Sequence, residues 1–227
     1  MINYPGKELE NFERANVWRK YIYFIIRKYI KENILEVGAG IGSFTLTYLD
    51  KKKKITLTET DVNNFNFIKE RFKNNNISIF PKLTKDIKGT FETIMYMNVL
   101  EHIEKDNEEI KIALDKLQNN GYLIILVPGH NKLFSKFDKA VGHHRRYEIK
   151  FFKDLKIANC KLEKLCYLDC AGYFLYYINR IFFKEEIYPS RFKIFIWDKI
   201  FTPITVILDG LINYKYGKNI LCVIKKN

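Results

Sequence analysis

Cysteine is scarce. The 227-residue chain has four, Cys160, Cys166, Cys170 and Cys222. None forms a Cys-x-x-Cys pair and no histidine stands at zinc spacing from them, so nothing here reads as a metal centre and none is expected. Reduced, buried thiols in a cytoplasmic protein are the expectation. The N-terminus lacks the apolar core of a signal peptide and carries acids early, at Glu8, Glu10 and Glu13. Uncharged runs such as 171–179 and 201–208 fall far short of the roughly 18–20 residues a membrane-spanning helix needs, so no transmembrane segment is expected. Internal repeats and low-complexity linkers are missing too, which leaves one domain over residues 1–227.

Acids are outnumbered, 26 Asp and Glu against 39 Lys and Arg, for a net charge of +13. That balance permits contact with nucleic acid, anionic lipid or phosphorylated substrates, and it is also what a solvated lysine-rich surface gives. The basic residues are spread along the chain apart from 142–147. Neither an RNA-binding motif nor an Asn-Pro-Pro-Tyr-type base-flipping motif is present, which argues against nucleic acid as partner or acceptor. A hydrophobic content of 47% and an aromatic content of 15% allow a sizeable core and argue against disorder.

The chain is organised around Ile34-Leu35-Glu36-Val37-Gly38-Ala39-Gly40-Ile41-Gly42-Ser43-Phe44. Ile34 to Val37 read as a short buried parallel strand, the glycines as a tight turn, and 43–49 as the start of a helix. Such a unit seats a nucleotide-like cofactor at the carboxyl end of a sheet. The dinucleotide fingerprint wants a third glycine one place later, where Ser43 stands. An acid at the strand end, Glu36, repels a pyrophosphate but attracts an ammonium or sulfonium. About 17 residues beyond Gly42, at the end of a second strand (55–59), Glu59 is placed to accept both ribose hydroxyls of a nucleoside; its rival Asp61 reads as a helix N-cap.

The Glu-Val-Gly-Ala-Gly-Ile-Gly-Ser-Phe run resembles the first motif of the Rossmann-like, class I methyltransferases that use S-adenosylmethionine (SAM). Asn98-Val99-Leu100-Glu101-His102-Ile103, at the exit of a fourth strand (91–97), is similar to a second motif of that family. Gly142-His143-His144-Arg145-Arg146-Tyr147, with Val127-Pro128-x-His130 upstream, resembles a bacterial and archaeal subgroup of it. The resemblance implies an α/β, doubly wound, seven-stranded sheet, mostly parallel, whose seventh strand inserts antiparallel between the fifth and sixth. It implies SAM as cofactor, with Glu36, Gly38, Ala39 and Gly40 at the methionine half, Glu59 and Thr60 at the ribose, and Asp86 and Ile87 at the adenine. Asn98 and Val99 would face the methionine half.

The rest of the chain reads as follows. Apolar spacing makes residues 7–31 one amphipathic helix, either a cover for the cofactor or packing for the sheet edge. The lysine run 51–54 is a loop. Further helices are expected over 62–74, 104–119 and 149–158, and strands over 77–80, 122–127, 161–169 and 219–224. The connection 128–147 is long, and long loops are usually functional. Its Arg145, Arg146 and Tyr147 are substrate-binding candidates, unless the two arginines pair with Asp138 and Glu148 to hold the loop. The segment 171–217 before the last strand is rich in aromatics (Tyr173, Tyr176, Phe183 and Trp197 among them) and reads as two or three helices: extra core, an acceptor lid, or a face lying on a membrane.

Methyl transfer by in-line displacement at a sulfonium needs mainly orientation. A base is required only for a hydroxyl or protonated amine acceptor; His102 is the first candidate, with His143 and His144 behind it, because imidazole titrates near working pH. The acceptor is expected to be a small molecule or one linked to lipid or sugar. The rivals are a NAD-linked oxidoreductase, disfavoured by the missing glycine and the lack of a Tyr-x-x-x-Lys pair, and a non-catalytic RNA- or membrane-binding module.

Overall fold

The computed structural model describes residue 4 and residues 8–49, 54–182 and 187–227, with the side chains of 179–182 outside that description. The lysines at 51–53 and Phe183 lie outside the described residues. In order, the elements are α1 (Leu9–Phe12), α2 (Asn16–Ile26), β1 (Asn33–Val37), α3 (Thr45–Tyr48), β2 (Lys54–Thr58), α4 (Val62–Arg71), β3 (Ile77–Phe80), β4 (Phe91–Met97), α5 (Asp106–Asp115), β5 (Leu117–Pro128), α6 (Lys136–Ala140), α7 (Ile149–Lys153), β6 (Cys160–Leu168), α8 (Cys170–Phe182), α9 (Arg191–Ile196), α10 (Thr202–Leu211) and β7 (Asn219–Lys226).

The seven strands form one sheet in the order β3-β2-β1-β4-β5-β7-β6. The first five pair parallel, and β7 runs antiparallel to both β5 and β6. This is the expected topology. Successive strand residues face opposite sides of a sheet. In β1, Ile34 joins one buried cluster while Leu35 and Val37 join the other; in β4, Met95 parts in the same way from Ile94 and Tyr96. α2 covers the first face with Trp18, Tyr21, Ile22 and Ile26. α5 covers the second with Ile110, Ala113 and Leu114. The chain reverses its winding between β1 and β4, so a crevice opens at their carboxyl ends.

Four helices differ from their sequence reading. The expected 7–31 helix is broken at Ala15, whose backbone leaves the helical region (φ −75°, ψ 62°). The break is made from outside: Asp198 accepts from the N–H groups of Val17 (3.2 Å) and Trp18 (2.8 Å), capping α2, while Arg19 donates to the carbonyls of Phe12 and Glu13. The helix expected over 104–119 stops at Asp115, because Leu117 already pairs with Phe91 at the start of β4. The helices expected over 149–158 and 43–49 shrink to Ile149–Lys153 and Thr45–Tyr48.

Candidate active site

Val37 leads directly into the glycine turn. Gly38 has φ +64°, and a Cβ on it would lie 2.8 Å from Val99 Cγ1. Any side chain there would be strained and would also push away the loop that follows β4. Gly40 has φ +56°, with only the Leu9 side chain near its open face, at 3.6 Å. Its N–H donates to Glu59 Oε2 at 2.7 Å, while Ala39 N–H donates to the Thr58 carbonyl at 2.9 Å. The turn is thus tied to the end of β2 by the acid the sequence singles out.

Glu59 is buried, and its other oxygen accepts from Asp61 N–H at 2.8 Å. Burial pushes its carboxyl up, against the backbone N–H groups of Asp61, Gly40 and Thr60. Asp61 does cap a helix, accepting from Asn64 N–H at 2.8 Å, and it also takes the N–H of Tyr4 at 2.7 Å. The Tyr4 ring stands edge-on to His102, 5.6 Å between centroids, so the chain's start bridges the ends of β2 and β4. Glu36 is 2% exposed. Burial pushes it to about 7, although Thr45 Oγ1 (2.8 Å) and the Tyr48 hydroxyl both donate to it.

Glu36, the glycine turn, Tyr4 and His102 open on a cavity of about 730 Å³; Glu59 stands behind Gly40 and does not line it. Glu36, Gly38, Ala39, Gly40 and Asn98 line it on the sheet side. Aromatic residues line it elsewhere: Trp18 from α2, Phe137 from α6, Tyr176 from α8, Phe192 from α9, and Trp197 and Phe201 from the π-helical turn between α9 and α10. Described parts of the 171–217 segment therefore wall a cavity.

The polar end of the cavity is built by the 128–147 connection. Ser135 and Asp138 form a capping box at α6. Asp138 accepts from His143 Nδ1 (2.8 Å), Arg146 Nε (2.8 Å) and Arg146 Nη2 (3.0 Å). Burial works against the Asp138 carboxylate, yet bonds from His143, Arg146 and Ser135 hold it far below the usual carboxylate range. Arg146 is 3% exposed, its guanidinium lies 5.2 Å from the Tyr176 ring centroid, and its Nη1 is buried with no hydrogen-bond partner among the described residues. Lys218 also lines the cavity; burial lowers its ammonium and Asp169 opposes the shift. His102 is held to about 4, first by burial and then by His143 beside it, so it is a neutral imidazole and a weak base.

Of the residues expected at the site, His102, His143 and Arg146 reach the cavity. His144, Arg145 and Tyr147 do not line it. Arg145 donates to Asp106 (2.6 Å) and to the Glu104 carbonyl, and the Tyr147 hydroxyl donates to Asp106 (3.0 Å) and the Leu100 carbonyl. Both hold the loop to the start of α5; of the two acids expected to pair with the arginines, Asp138 takes Arg146, while Arg145 goes to Asp106. Asp86 is exposed on a short turn (Thr84–Asp86), and Ile87 is buried in the second core cluster. Neither lines the cavity, nor do Glu59, Thr60 and Val99; Glu59 is bonded to Gly40, and Val99 packs against Gly38. Thr45, Tyr48, Asp138 and Lys218 contribute to the site and carry no sequence signal beyond their neighbourhood in the chain.

A cavity at the β1–β4 switch point, closed beneath by a glycine turn that lacks the dinucleotide spacing, on a sheet whose last strand is antiparallel, defines a SAM-dependent methyltransferase. The sequence profile of the family described as "Methyltransferase domain" matches residues 12–162, and the chain belongs to that family. No curated protein matches the chain. Its fold is similar to that of coclaurine N-methyltransferase bound to N-methylheliamine and S-adenosylhomocysteine (SAH), with 14% identity, a TM-score of 0.62, and 92% of this chain and 72% of that one covered. It is also similar to the plantazolicin methyltransferase BpumL in complex with SAH (13% identity, TM-score 0.58, 96% and 84% covered). A third is an S-adenosylmethionine-dependent methyltransferase from Clostridium acetobutylicum ATCC 824 (12% identity, TM-score 0.60, 94% and 92% covered). At these identities the likeness speaks for the fold. The methyl donor is SAM.

Proposed function

We propose that this methyltransferase acts on a small or lipid- or sugar-linked acceptor with an apolar body and a polar end, held between the glycine turn and the aromatic wall. The observation that carries the reading is Glu36: a buried carboxylate with a raised pKa lines the same cavity as Gly38 and Gly40. A cation in that cavity would return it to the charged form. SAM fits this donor set, since it brings an ammonium to Glu36 and ribose hydroxyls to Glu59. When bound, it supplies a methyl group on an electrophilic sulfonium.

The chain's own residues then divide the work. Glu36, with Thr45 and Tyr48 behind it, pairs with the ammonium. Glu59, fixed by Gly40 and Asp61, takes the ribose. Tyr4 and Leu9 cover this side of the cavity. The aromatic wall excludes water and aligns the acceptor, and orientation of this kind is worth about 7–11 kcal/mol in favourable cases. Arg146 and Lys218 suit an anionic group on the acceptor. Asp86 and Ile87 do not line the cavity and are left out of the set; Glu59 does not line it either, and it is kept because it is bonded to Gly40, which does.

Calorimetry with SAH and NAD tests the cofactor. SAH alone should bind; NAD binding without SAH binding would end this reading. Labelled methyl-SAM added to fractionated small-molecule and lipid extracts would then find the acceptor. A second reading concerns location: the chain docks on an anionic membrane surface. It is motivated by α10, whose outward face is apolar (Ile204, Val206, Ile207 and Leu211 exposed) while its inward face carries Thr202, Thr205 and Asp209. No helix among the described residues is long and apolar enough to cross a membrane.

A further inference from the structure

Glu101 is 0% exposed, and neither of its carboxylate oxygens has a hydrogen-bond partner among the described residues. A buried acceptor pair without donors is unfavourable and asks for an explanation. Nε2 of His143 lies 3.8 Å from Oε1. That ring is held from behind by Asp138, 2.8 Å from Nδ1. With its Nδ1–H given to a carboxylate, the imidazole presents the lone pair of Nε2 towards Glu101. A lone pair and a carboxylate that face each other require a positive species between them. His102 completes the group, its ring edge-on to His143 with 4.6 Å between centroids. One donor atom from each of Glu101, His102 and His143 lies within 4.8 Å of the other two. Donors on one ion at about 2.0–2.2 Å stand roughly 3–4 Å apart, so a contraction of about 1 Å through side-chain torsions would bring all three to a single centre. All three line the cavity.

We propose that Glu101, His102 and His143 form a divalent transition-metal site at the polar end of the cavity, and that the ion takes a hydroxyl group of the methyl acceptor. Two imidazoles and one carboxylate suit Zn²⁺, Mn²⁺ or Fe²⁺ and leave coordination positions for an outside ligand. Asp138 acts as the orienting carboxylate behind His143. The use of the ion rests on the methyl-transfer reading; the ligand set does not. An alcohol or phenol on such an ion loses its proton to solvent near neutral pH. The oxygen then forms a C–O bond as the sulfonium C–S bond breaks, and sulfur keeps the electron pair. His102 is then a ligand, and the substrate class is a hydroxyl compound undergoing O-methylation.

The test uses the full chain, stripped with a chelator and titrated with Co²⁺ while its visible ligand-field absorption is followed, with Zn²⁺ as competitor. The expected result is about one Co²⁺ per chain, displaced by Zn²⁺, with binding weakened about tenfold or more in Glu101→Gln and in His143→Ala. His144→Ala, outside the cavity, should bind as the parent does. SAH calorimetry on the same samples reports the cofactor site separately, so retained SAH binding in the variants shows that the fold is intact. Loss of SAH binding by the parent would count against the methyl-transfer reading alone. No saturable Co²⁺ or Zn²⁺ binding by the parent overturns the proposal. So does binding that Glu101→Gln and His143→Ala leave unchanged; the species between Glu101 and His143 is then a proton.

Discussion

The Tyr21 hydroxyl donates to Asp209 Oδ2 at 2.8 Å, joining α2 to α10 across 188 positions of sequence. Asp209 also accepts from the N–H groups of Asp169 and Cys170, both at 2.9 Å. One buried carboxylate therefore fastens the first long helix, the end of β6 and the last helix together; of these α2 lines the cavity, with Asp169 at the end of β6. Burial raises Asp209, and the donors from Cys170, Asp169 and Tyr21 oppose that shift.

Tyr21→Phe removes one of those donors and leaves the rest of the ring in place. It should lower stability by about 1–3 kcal/mol, the cost of stripping a donor from a buried charged acceptor. Urea unfolding measures this through the midpoint at constant slope. A change below about 0.5 kcal/mol, the usual range for surface substitutions, would mean that the bond contributes nothing to the closure of the helices on the sheet.

Glu59→Ala should weaken SAH binding by on the order of 2 kcal/mol, roughly thirtyfold, because buried ribose hydroxyls lose a charged partner. The same change frees the N–H of Gly40, so the loss is a lower bound if the turn relaxes. Asp61→Ala is the contrasting variant. It removes an N-cap and should lower stability by about 1 kcal/mol with a far smaller effect on SAH affinity. Equal effects of both substitutions on SAH binding would show that Glu59 is not the ribose ligand.

Glu36 gives the binding a pH dependence of defined sign. Its folded value, about 7, lies above the ordinary carboxylate one because burial favours the protonated form. The stability this contributes is whole below the unfolded value and is lost as pH rises through about 7. Binding of an ammonium runs the other way. Below that pH the carboxyl must release its proton before it can pair, so SAH affinity should climb by up to about tenfold per pH unit on approaching 7 and then level off. Calorimetry from about pH 5.5 to about pH 8 follows this through the titration range. Glu36→Gln should bind weakly and without the slope; a slope that survives in Glu36→Gln removes Glu36 from the site.

The strands were legible because β-branched and apolar runs ended at glycine, proline or asparagine, and because each face of the sheet selects alternate residues. The glycine turn and its two acids were legible for the same local reason: their placement follows from spacing along a strand–turn–helix unit. What could not be read was made by distant partners. The break at Ala15 depends on Asp198, about 180 positions away along the chain. Arg145 and Tyr147 look like ligand-binding residues in sequence, but Asp106 lies within reach of both and takes them. Glu101 stands in a recognisable motif, yet its missing hydrogen-bond partners become visible only once His143 is folded against it.

The last prediction concerns α10, which is inside out. Thr205 Oγ1 donates to Asp169 at 3.2 Å and Asp209 holds Tyr21, so polar residues are drawn inward by a buried network. Ile204, Ile207 and Leu211, spaced three and four apart, are left 43%, 65% and 73% exposed. Phe192 and Phe195 on α9 are 70% and 55% exposed. On a chain of net charge +13, such a surface fits an anionic lipid interface. The protein should float with vesicles containing phosphatidylserine, less at high salt as the electrostatic share is screened. Ile207→Glu with Leu211→Glu should abolish flotation, since each apolar side chain contributes about 1.5–3 kcal/mol when buried. Thermal stability should change little, because neither side chain is packed in the fold. Sedimentation on the same variants separates the alternative: a parent dimer that the double substitution splits, with no flotation at any salt, would assign this face to a second copy of the chain.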